Sequence, residues 1–372
     1  MRVGINLLYL LPGIVGGTET YARGLLHGLA LLDSGHEFVV FVNRTADQWP
    51  IPGGSFVRVI CPVDGSNRRQ RYAFEQFRLP FMLREHHVDL VHSLGYVGPI
   101  MSPCPAVVTI PDTNYIDLAS SIPARRRFPL RIFSTIAAKR ASSVITISDF
   151  SRQQIIKLLG LPQNKIVVTR LAPQLGILKT LNDLDSCNIQ SCYNIERSYI
   201  VAFGGGAIHK NIPRLLQAFA QIAGKIDHQL VLIGHLPPDY NVDVLEKTPG
   251  LLSRVVTTGY VPSDHIGPLL RHADLFVMPT LYEGFGLPVL EAQQAGTVVA
   301  CSTAGSLPEV AGAGAAFFDP LSVDSMAEII FRCIVDSELR ARLYQEGQEN
   351  LKRFSWEKTA KETLAVYHKV LA

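Results

Sequence analysis

The chain carries YEGFGLPVLEAQQAG at residues 282–296, and this stretch places two carboxylates, Glu283 and Glu291, around a glycine-rich loop. An apolar run that is typical of a buried strand, Leu275–Met278, precedes the loop, and a helical pattern follows it. A strand, a glycine loop and a helix start together present bare backbone N–H groups, which bind phosphate. A carboxylate just inside that helix can accept hydrogen bonds from sugar or ribose hydroxyls. The stretch therefore predicts an α/β fold and points to a sugar nucleotide.

The same alternation of apolar strands and helical patterns runs along the whole chain. Strands are predicted at Val3–Leu10, Phe38–Val42, Val57–Ile60, Leu90–His92, Ala106–Ile110, Val144–Ile147, Ile166–Thr169, Tyr199–Phe203, Gln229–Ile233, Val255–Thr258, Leu275–Met278 and Val298–Cys301. Helices are predicted between them, notably at Thr18–Leu32, Arg71–Arg84 and Ser151–Leu159. Continuous Val/Ile/Leu runs suit parallel strands that are covered on both faces. The pattern predicts doubly wound α/β sheets.

The length of 372 residues exceeds one ordinary domain, so two domains are expected. The stretch 173–197 is polar and shows little periodicity, and it is predicted to be a linker with its flanks. We assign residues 1–173 to a first Rossmann-like domain, 174–198 to the linker, and 199–354 to a second Rossmann-like domain. The two domains are expected to face each other across a cleft, with a ligand at the carboxyl ends of the strands.

Composition excludes several classes of protein. Apolar residues make up 47% and charged residues 18%, which is globular rather than disordered, and a net charge of +3 does not indicate a nucleic-acid partner. The six cysteines form neither a C-x-x-C motif nor a zinc spacing, which is typical of a reducing compartment. The N-terminal segment MRVGINLLYLLPG reads as a buried strand rather than a signal peptide, and no apolar run reaches 18 residues. The expected location is the cytoplasm.

Glycine-rich turns follow three of the predicted strands. They are GIVGGTE at 13–19, GGGAIHKN at 204–211 and GFG at 284–286. Glycine at such a turn permits a positive φ and lets the backbone approach a phosphate closely. None of the three matches G-x-G-x-x-G, so a nicotinamide or flavin enzyme is disfavoured.

These motifs carry a resemblance to a known family. GGTE near the start, GGGAIHKN after the first strand of the second half, EGFGLPVLEA and then GSLPE at 305–309 resemble the retaining GT-B glycosyltransferases of the family 4 type. The segment FSWEKTA at 354–360 resembles the last helix of that family, and residues 355–372 are expected to return to the first domain. The resemblance covers essentially the whole chain. It implies that residues 1–173 form the acceptor-side domain and that residues 199–354 hold the nucleotide-sugar donor.

The resemblance implies a reaction and a set of site residues. The reaction is transfer of a mannose-like or glucose-like hexose, with retention, from a nucleotide-diphosphate sugar to a glycan or lipid-linked acceptor in polysaccharide biosynthesis, with no cofactor and no metal. The implied catalytic residues are Glu283, Lys210 and Asp112. Donor binding is implied for Gly16, Gly17, Gly205, His209, Lys210, Gly284, Phe285, Gly286, Leu287 and Glu291. Among these catalytic and donor-binding residues, Lys210 would pair with the diphosphate. Glu291 would bind the ribose hydroxyls, and Glu283 would bind the hydroxyls of the donor sugar.

Two positions depart from the family pattern. Pro111 stands where the family commonly has a histidine, directly before Asp112, and His209 stands where it usually has an arginine. Proline neither donates a hydrogen bond nor titrates, and histidine is often neutral at pH 7. An alternative function is therefore a catalytically weak protein that binds or senses a nucleotide sugar. A glycosidase that uses Glu283 and Glu291 is a further alternative, although it needs no glycine turns of this kind.

Single residues also have structural interpretations. Glu291 alone could be an acidic residue in the first turn of a helix, favoured by the helix dipole. His92, at the end of a predicted strand, is expected to be a structural histidine with its hydrogen bonds satisfied. Asp183 and Asp185 mimic the metal-binding D-x-D motif of another glycosyltransferase class, but they lie in the polar linker and are dismissed.

Two basic clusters occur in the first half. Arginines 68, 69, 71, 78 and 84 accompany Phe74, Phe77 and Phe81, and arginines 125–127 and 131 accompany Phe128. The first interpretation is a solvated helix face that covers the first sheet. The second is a surface that rests on anionic lipid, where a lipid-linked acceptor would lie, at the inner face of the membrane.

Overall fold

The structure is a computed structural model that describes residues 1–32, 34–117, 124–176, 186–236 and 250–372. The chain divides into two compact units. The first comprises Met1–Ala172 and Phe354–Ala372, and the second comprises Pro173–Arg353.

The first unit holds, within the described residues, a seven-stranded sheet in the order β3-β2-β1-β4-β5-β6-β7. The strands are β1 (Arg2–Leu7), β2 (Glu37–Val42), β3 (Phe56–Ile60), β4 (Leu90–Ser93), β5 (Ala106–Thr109), β6 (Ser143–Thr146) and β7 (Ile166–Val168). All of these strand pairs are parallel; Val3, for example, faces Phe38 on β2 and Leu90 on β4. The order reverses between β1 and β4, which is the kind of position where open α/β sheets bind ligands.

Helices of the first unit join these strands. They are α1 (Gly17–Leu31), α2 (Arg68–Phe77), α3 (Leu79–Glu85), α4 (Asn114–Asp117), α5 (Ala124–Arg140) and α6 (Asp149–Leu159). The sequence predicts one helix over Arg71–Arg84, and this prediction is wrong, because the chain breaks at Arg78 into α2 and α3. Pro80 explains the break, since proline lacks an N–H and fits only the first turn of a new helix.

The second unit holds, in the part of the chain that the structure describes, a six-stranded parallel sheet in the order β10-β9-β8-β11-β12-β13. Its strands are β8 (Tyr199–Phe203), β9 (Gln229–Ile233), β10 (Val255–Thr257), β11 (Leu275–Met278), β12 (Val299–Ser302) and β13 (Ala316–Phe318). Strand β13 was not predicted, because its short apolar run follows directly on the glycine-rich AGAG, which is typical of a loop. Both sheets are parallel and flanked by helices, as the sequence predicts.

Helices of the second unit cover both faces of its sheet. They are α7 (Ser186–Cys192), α8 (Ile212–Ile222), α9 (Ser263–Arg271), α10 (Leu287–Ala295), α11 (Leu307–Ala311), α12 (Val323–Val335) and α13 (Ser337–Leu351). Along β8, Ile200 packs into one apolar cluster with Phe219 of α8, whereas Tyr199 packs into another with Leu269 of α9. Successive residues of a strand point to opposite faces, so burial on both faces explains the unbroken apolar runs.

The predicted linker is partly structured. Helix α7 lies inside it, with Ile189 buried in the core of the second unit, and the Tyr193 hydroxyl lies 2.7 Å from Nδ1 of His265. The helix has seven residues, too few for a helical period to be recognised in the sequence.

The last helix, α14 (Trp356–Leu371), belongs to the first unit and packs on α1. Ser355 caps its start by accepting a hydrogen bond from the Lys358 N–H at 3.1 Å. A side chain on Gly24 of α1 would overlap the Trp356 indole. The absence of a side chain at Gly24 therefore allows α1 and α14 to pack closely. No helix among the described residues is long and apolar enough to cross a bilayer.

Candidate functional site

Loops at the carboxyl edge of the second sheet are joined by Asn211. This residue adopts φ 58°, and its amide nitrogen donates to the carbonyls of Pro279 at 2.9 Å and Pro320 at 2.8 Å. The Leu281 N–H donates to the His209 carbonyl at 2.8 Å. The loops after β8, β11 and β13 are therefore tied together, and no local sequence pattern indicates this role of Asn211.

Glu283 and Lys210 come together on two of these loops. Lys210 Nζ lies 4.0 Å from Glu283 Oε2, and both side chains are partly buried. Burial raises the pKa of Glu283, opposed by Lys210 and by hydrogen bonds from the backbone N–H groups of Phe285 and Gly284. The Phe285 N–H, which the resemblance assigns to the diphosphate, thus binds the Glu283 carboxylate in this structure.

The later motif GSLPE braces the same glutamate. Ser306 donates to the Glu283 carbonyl from its N–H at 3.1 Å and from its hydroxyl at 3.0 Å. Gly305 has φ 64°, and a side chain there would overlap the Glu283 backbone. Gly286 has φ 100° and closes against Leu307, whose Cδ2 would lie 2.6 Å from an added Cβ. The two motifs therefore form one packed unit that fixes the backbone of Glu283.

Glu291 is a buried carboxylate on α10. The helix begins at Leu287 after the left-handed Gly286, so Glu291 is in its second turn and the first-turn interpretation is wrong. Its side chain is 7% exposed, and burial raises its pKa to about 7. Among the described residues, none donates a hydrogen bond to this carboxylate. A buried polar group of this kind calls for a functional explanation.

His209 and Lys210 form the end of a short 3₁₀ helix, Ile208–Lys210. Burial and the neighbouring Lys210 lower the pKa of His209 to about 4, so its ring is neutral at pH 7. Its Nδ1 is buried and has no hydrogen-bond partner in the described part of the chain. Lys210 therefore supplies the positive charge on this loop. Gly205 precedes Lys210 on the same loop and has φ 142°. An added side chain at Gly205 would meet nothing within 4 Å.

The glycines of GGTE lie at the start of α1 in the first unit. Gly16 precedes the helix with φ 55°, and Gly17 begins it. A side chain at either position would meet nothing within 4 Å. Glu19 of the same motif accepts a hydrogen bond from the Gly13 N–H at 2.8 Å and another from the Trp49 indole at 2.9 Å. The turn is thus anchored by Glu19 and open on its glycine side.

Asp112 also belongs to the first unit, in the loop after β5. Its Oδ1 accepts hydrogen bonds from the Tyr96 hydroxyl at 3.0 Å and from the Asn114 N–H at 3.1 Å. Pro111 is buried beside it, and its carbonyl accepts from the Thr146 hydroxyl at 3.4 Å. The loop fixes the position of Asp112, and its catalytic role stays a prediction.

His92 is a structural histidine, as predicted. Its Nδ1 lies 2.7 Å from the Tyr367 hydroxyl, and its Nε2 lies 2.7 Å from the Thr109 hydroxyl. Burial lowers its pKa to about 3, so it is neutral. Asp183 and Asp185 lie outside the described residues, and among the described residues no group of three His, Cys, Asp or Glu is placed to hold a metal ion.

Comparisons with known proteins agree with this arrangement. The family model described as Glycosyl transferases group 1 matches residues 193–350, and Glycosyltransferase Family 4 matches residues 15–170. O-antigen chain mannosyltransferase B of Escherichia coli is 30% identical over 383 residues, covering 98% of this chain and 95% of the relative.

Solved structures show the same fold. Sucrose-phosphate synthase from Thermosynechococcus elongatus has a TM-score of 0.74 at 17% identity, over 100% of this chain and 99% of that one. Anabaena Alr3699/HepE in complex with UDP-glucose has a TM-score of 0.73 at 17% identity, over 99% and 100%. The fold of the chain is therefore GT-B, as the sequence predicts.

Proposed function

The chain belongs to the glycosyl transferases of group 1 and family 4, and from this premise we propose that it transfers a mannose-like hexose from a nucleotide-diphosphate sugar. The acceptor is a glycan or a lipid-linked glycan, and the transfer retains the anomeric configuration without a metal ion. Mannose is favoured because O-antigen chain mannosyltransferase B, which is 30% identical over 98% of this chain, is a mannosyltransferase. The observation that carries the proposal is the grouping of Lys210, Glu283 and the glycine loop on joined loops of one sheet edge.

Lys210 acts on the diphosphate in this proposal. As the bond between the sugar and the phosphate breaks, negative charge grows on the leaving nucleoside diphosphate. The Lys210 ammonium and the N–H groups at the start of α10 stabilise that charge. The N–H groups of Gly284 and Phe285 bind a carboxylate in this structure, which supports their suitability for an anion.

Two glutamates orient the donor. Glu291, which no described residue hydrogen-bonds, accepts from the ribose hydroxyls. Glu283, braced by Ser306, accepts from hydroxyls of the sugar and fixes its orientation. The acceptor hydroxyl adds to the face that the phosphate leaves, and the leaving phosphate takes the proton. In the first unit, the donor-binding roles that the family resemblance implies for Gly16, Gly17 and Asp112 stay predictions.

Contact with an anionic membrane is a second part of the proposal. Phe77 is 71% exposed at the end of α2, Phe81 is 63% exposed on α3 and Phe128 is 68% exposed on α5. Helices α2 and α5 contact each other through the Tyr72 and Phe133 rings, whose centroids are 4.9 Å apart. Exposed arginines flank these aromatic residues at positions 69, 78, 84 and 131. Aromatic and basic side chains on one surface suit an anionic bilayer.

Some members of the predicted basic clusters do not contribute to that surface. Arg71 is buried, which corrects its assignment to a solvated or lipid-facing surface, and Phe74 packs partly against the apolar core. The side chains of Arg125 and Arg126 lie outside the described residues. We call the exposed residues Phe77, Phe81, Phe128, Arg69, Arg78, Arg84 and Arg131 the basic aromatic surface.

The proposed donor reaction is tested by thermal shift with UDP-, GDP- and ADP-hexoses on the wild type, Lys210→Ala and Lys352→Ala. A ligand that is present at about 100 times its dissociation constant stabilises the folded state by about 2.7 kcal/mol. We expect one nucleotide sugar to raise the melting temperature of the wild type. Lys210→Ala should lose that shift, and Lys352→Ala, which changes an exposed lysine of the same unit, should keep it.

Turnover separates the enzyme from the alternative. Release of the nucleoside diphosphate in the presence of a glycan acceptor supports transfer. A shift without any release indicates the catalytically weak binding protein that Pro111 and His209 leave open. No shift with any nucleotide sugar would overturn the proposed donor.

A further inference from the structure

A buried polar cluster lies at the carboxyl edge of the first sheet, where the strand order reverses between β1 and β4. It comprises Asn6 near the end of β1, Ser93 at the end of β4, and Arg71 and Glu75 on α2. The Asn6 amide donates to Glu75 Oε1 at 3.4 Å and to Ser93 Oγ at 3.1 Å. Ligands of open α/β sheets bind at such a reversal, outside the carboxyl ends of the strands.

Two atoms of the cluster have unused hydrogen-bonding capacity. Arg71 Nε and Glu75 Oε2 are both buried, and neither makes a hydrogen bond within the described residues. They lie 4.0 Å apart, and the two side chains are 10% and 2% exposed. Buried donors and acceptors are almost always paired in folded proteins, so these two atoms require an explanation.

Attachment of α2 to the sheet does not explain them. The neighbouring Gln76 already ties this helix to the following loop, because its amide nitrogen donates to the Gly98 carbonyl at 3.1 Å and its amide oxygen accepts from the Ile100 N–H at 2.9 Å. Phe74 packs against the core on the same helix. A buried charged pair adds desolvation cost to a helix that is already held in place.

The chemistry of the pair selects a neutral ligand with hydroxyl groups. A phosphate attracted by Arg71 is repelled by Glu75, and a cation attracted by Glu75 is repelled by Arg71. A guanidinium donor next to a carboxylate acceptor matches adjacent sugar hydroxyls, each of which donates and accepts. The Arg71 guanidinium lies 4.9 Å from the centre of the Tyr72 ring, which restricts its orientation.

We propose that Arg71 and Glu75 form a sugar-hydroxyl subsite for the acceptor, in which Arg71 donates to one hydroxyl and Glu75 accepts from another. This inference rests on the proposed function, in which the acceptor is a glycan. The residues of the first unit that are predicted to bind the donor, Gly16, Gly17 and Asp112, lie at the start of α1 and after β5, so a separate sugar site on α2 is assigned to the acceptor. Asn6 orients Glu75 through its hydrogen bond, and Ser93 orients Asn6.

The test uses saturation-transfer NMR with methyl α-mannoside, methyl α-glucoside and methyl N-acetyl-α-glucosaminide as probes, and inorganic phosphate as the anionic comparison. Wild type, Glu75→Gln and Arg71→Met are compared. Glu75→Gln keeps the shape of the side chain and can place a donor where the carboxylate accepts. We expect one glycoside to bind the wild type and to bind each variant about tenfold or more weakly. The same variants should raise the acceptor KM and leave nucleotide-sugar binding unchanged.

Gln76→Ala is the matched control, because it loosens the attachment of α2 without removing either charged group. If Gln76→Ala weakens glycoside binding as much as Glu75→Gln does, the cluster is structural and the inference is overturned. Binding of phosphate in place of the glycosides, or glycoside binding that neither variant weakens, also overturns it. So does the absence of glycoside binding to the wild type.

The nucleotide-sugar thermal shift separates this inference from the proposed function. A retained shift with no glycoside binding rejects only the subsite. An absent shift rejects the proposed function and with it the acceptor assignment, even where Glu75→Gln weakens glycoside binding.

Discussion

At the residue scale, Glu291 illustrates a conflict between stability and binding. Its carboxylate is buried on α10, and no described residue compensates its charge with a hydrogen bond. Its pKa is about 7 in the folded state against an ordinary value of 4.5. The folded protein therefore binds this proton more tightly than the unfolded chain does. Protonation of Glu291 therefore stabilises the folded protein relative to the unfolded chain. This stabilisation is complete below about pH 4.5 and is lost as the pH rises through 7.

Glu291→Gln should consequently stabilise the protein at pH 8 and weaken donor binding. The amide avoids burial of a charge, and a shift from 4.5 to about 7 corresponds to on the order of 3 kcal/mol of unfolding free energy at high pH. The difference between variant and wild type should shrink toward pH 4. Urea unfolding at pH 4, 6 and 8 measures it, with Glu346→Gln, an exposed glutamate of the same unit, as the control. A variant less stable than the wild type at pH 8 would contradict the uncompensated charge.

The site could be predicted from the sequence where backbone geometry demanded particular residues. Gly286 needs a positive φ, and Glu283 and Glu291 stand at fixed distances from it, so the motif could be recognised. The bracing of Glu283 by Ser306 joins residues that are far apart in the chain, and no local pattern announces it. Asn211 was missed for the same reason, since its two carbonyl partners belong to distant loops.

At the element scale, the close approach of α1 and α14 depends on glycine. A Cβ on Gly24 would overlap the Trp356 indole, and one on Gly28 would overlap the Trp356 carbonyl. Gly24→Ala should therefore lower the free energy of unfolding by about 1–3 kcal/mol, the usual cost of overpacking. Gly17→Ala is the matched control on the same helix, because a side chain there has open space. Equal unfolding midpoints in urea for Gly24→Ala and the wild type would refute the packing argument.

Elements were predictable where their periodicity was long and strong. The continuous apolar runs of β2 and β8 require burial on both faces, and both were placed to within one residue. Shortness alone does not prevent prediction, because β7 and β10 have three residues each and were predicted. Strand β13 was missed because it directly follows the glycine-rich AGAG, and α7 was missed because its seven residues lie in a polar stretch. The division of one predicted helix into α2 and α3 follows from Pro80, a local signal that was present in the sequence.

At the scale of the whole molecule, the exposed aromatic residues distinguish two kinds of surface. On the basic aromatic surface, Phe77, Phe81 and Phe128 are flanked by arginines. Tyr260, in the second unit, is a 78% exposed aromatic residue outside this surface. Attraction to an anionic bilayer combines apolar insertion with about 1 kcal/mol for each arginine near the lipid surface. The basic aromatic surface should therefore bind such a bilayer, and a lone aromatic residue should not.

Co-sedimentation with vesicles tests this prediction on the full chain. The wild type should sediment with phosphatidylserine-containing vesicles but not with phosphatidylcholine vesicles, and high salt should release it, because screening weakens the arginine contribution. Phe77→Ser combined with Phe81→Ser should reduce the bound fraction severalfold, since two apolar side chains no longer insert. Tyr260→Ser, the control, should bind as the wild type does. The protein could bind both kinds of vesicle equally well, or the double variant could bind as strongly as the wild type. Either result would show that this surface is an ordinary solvated helix face.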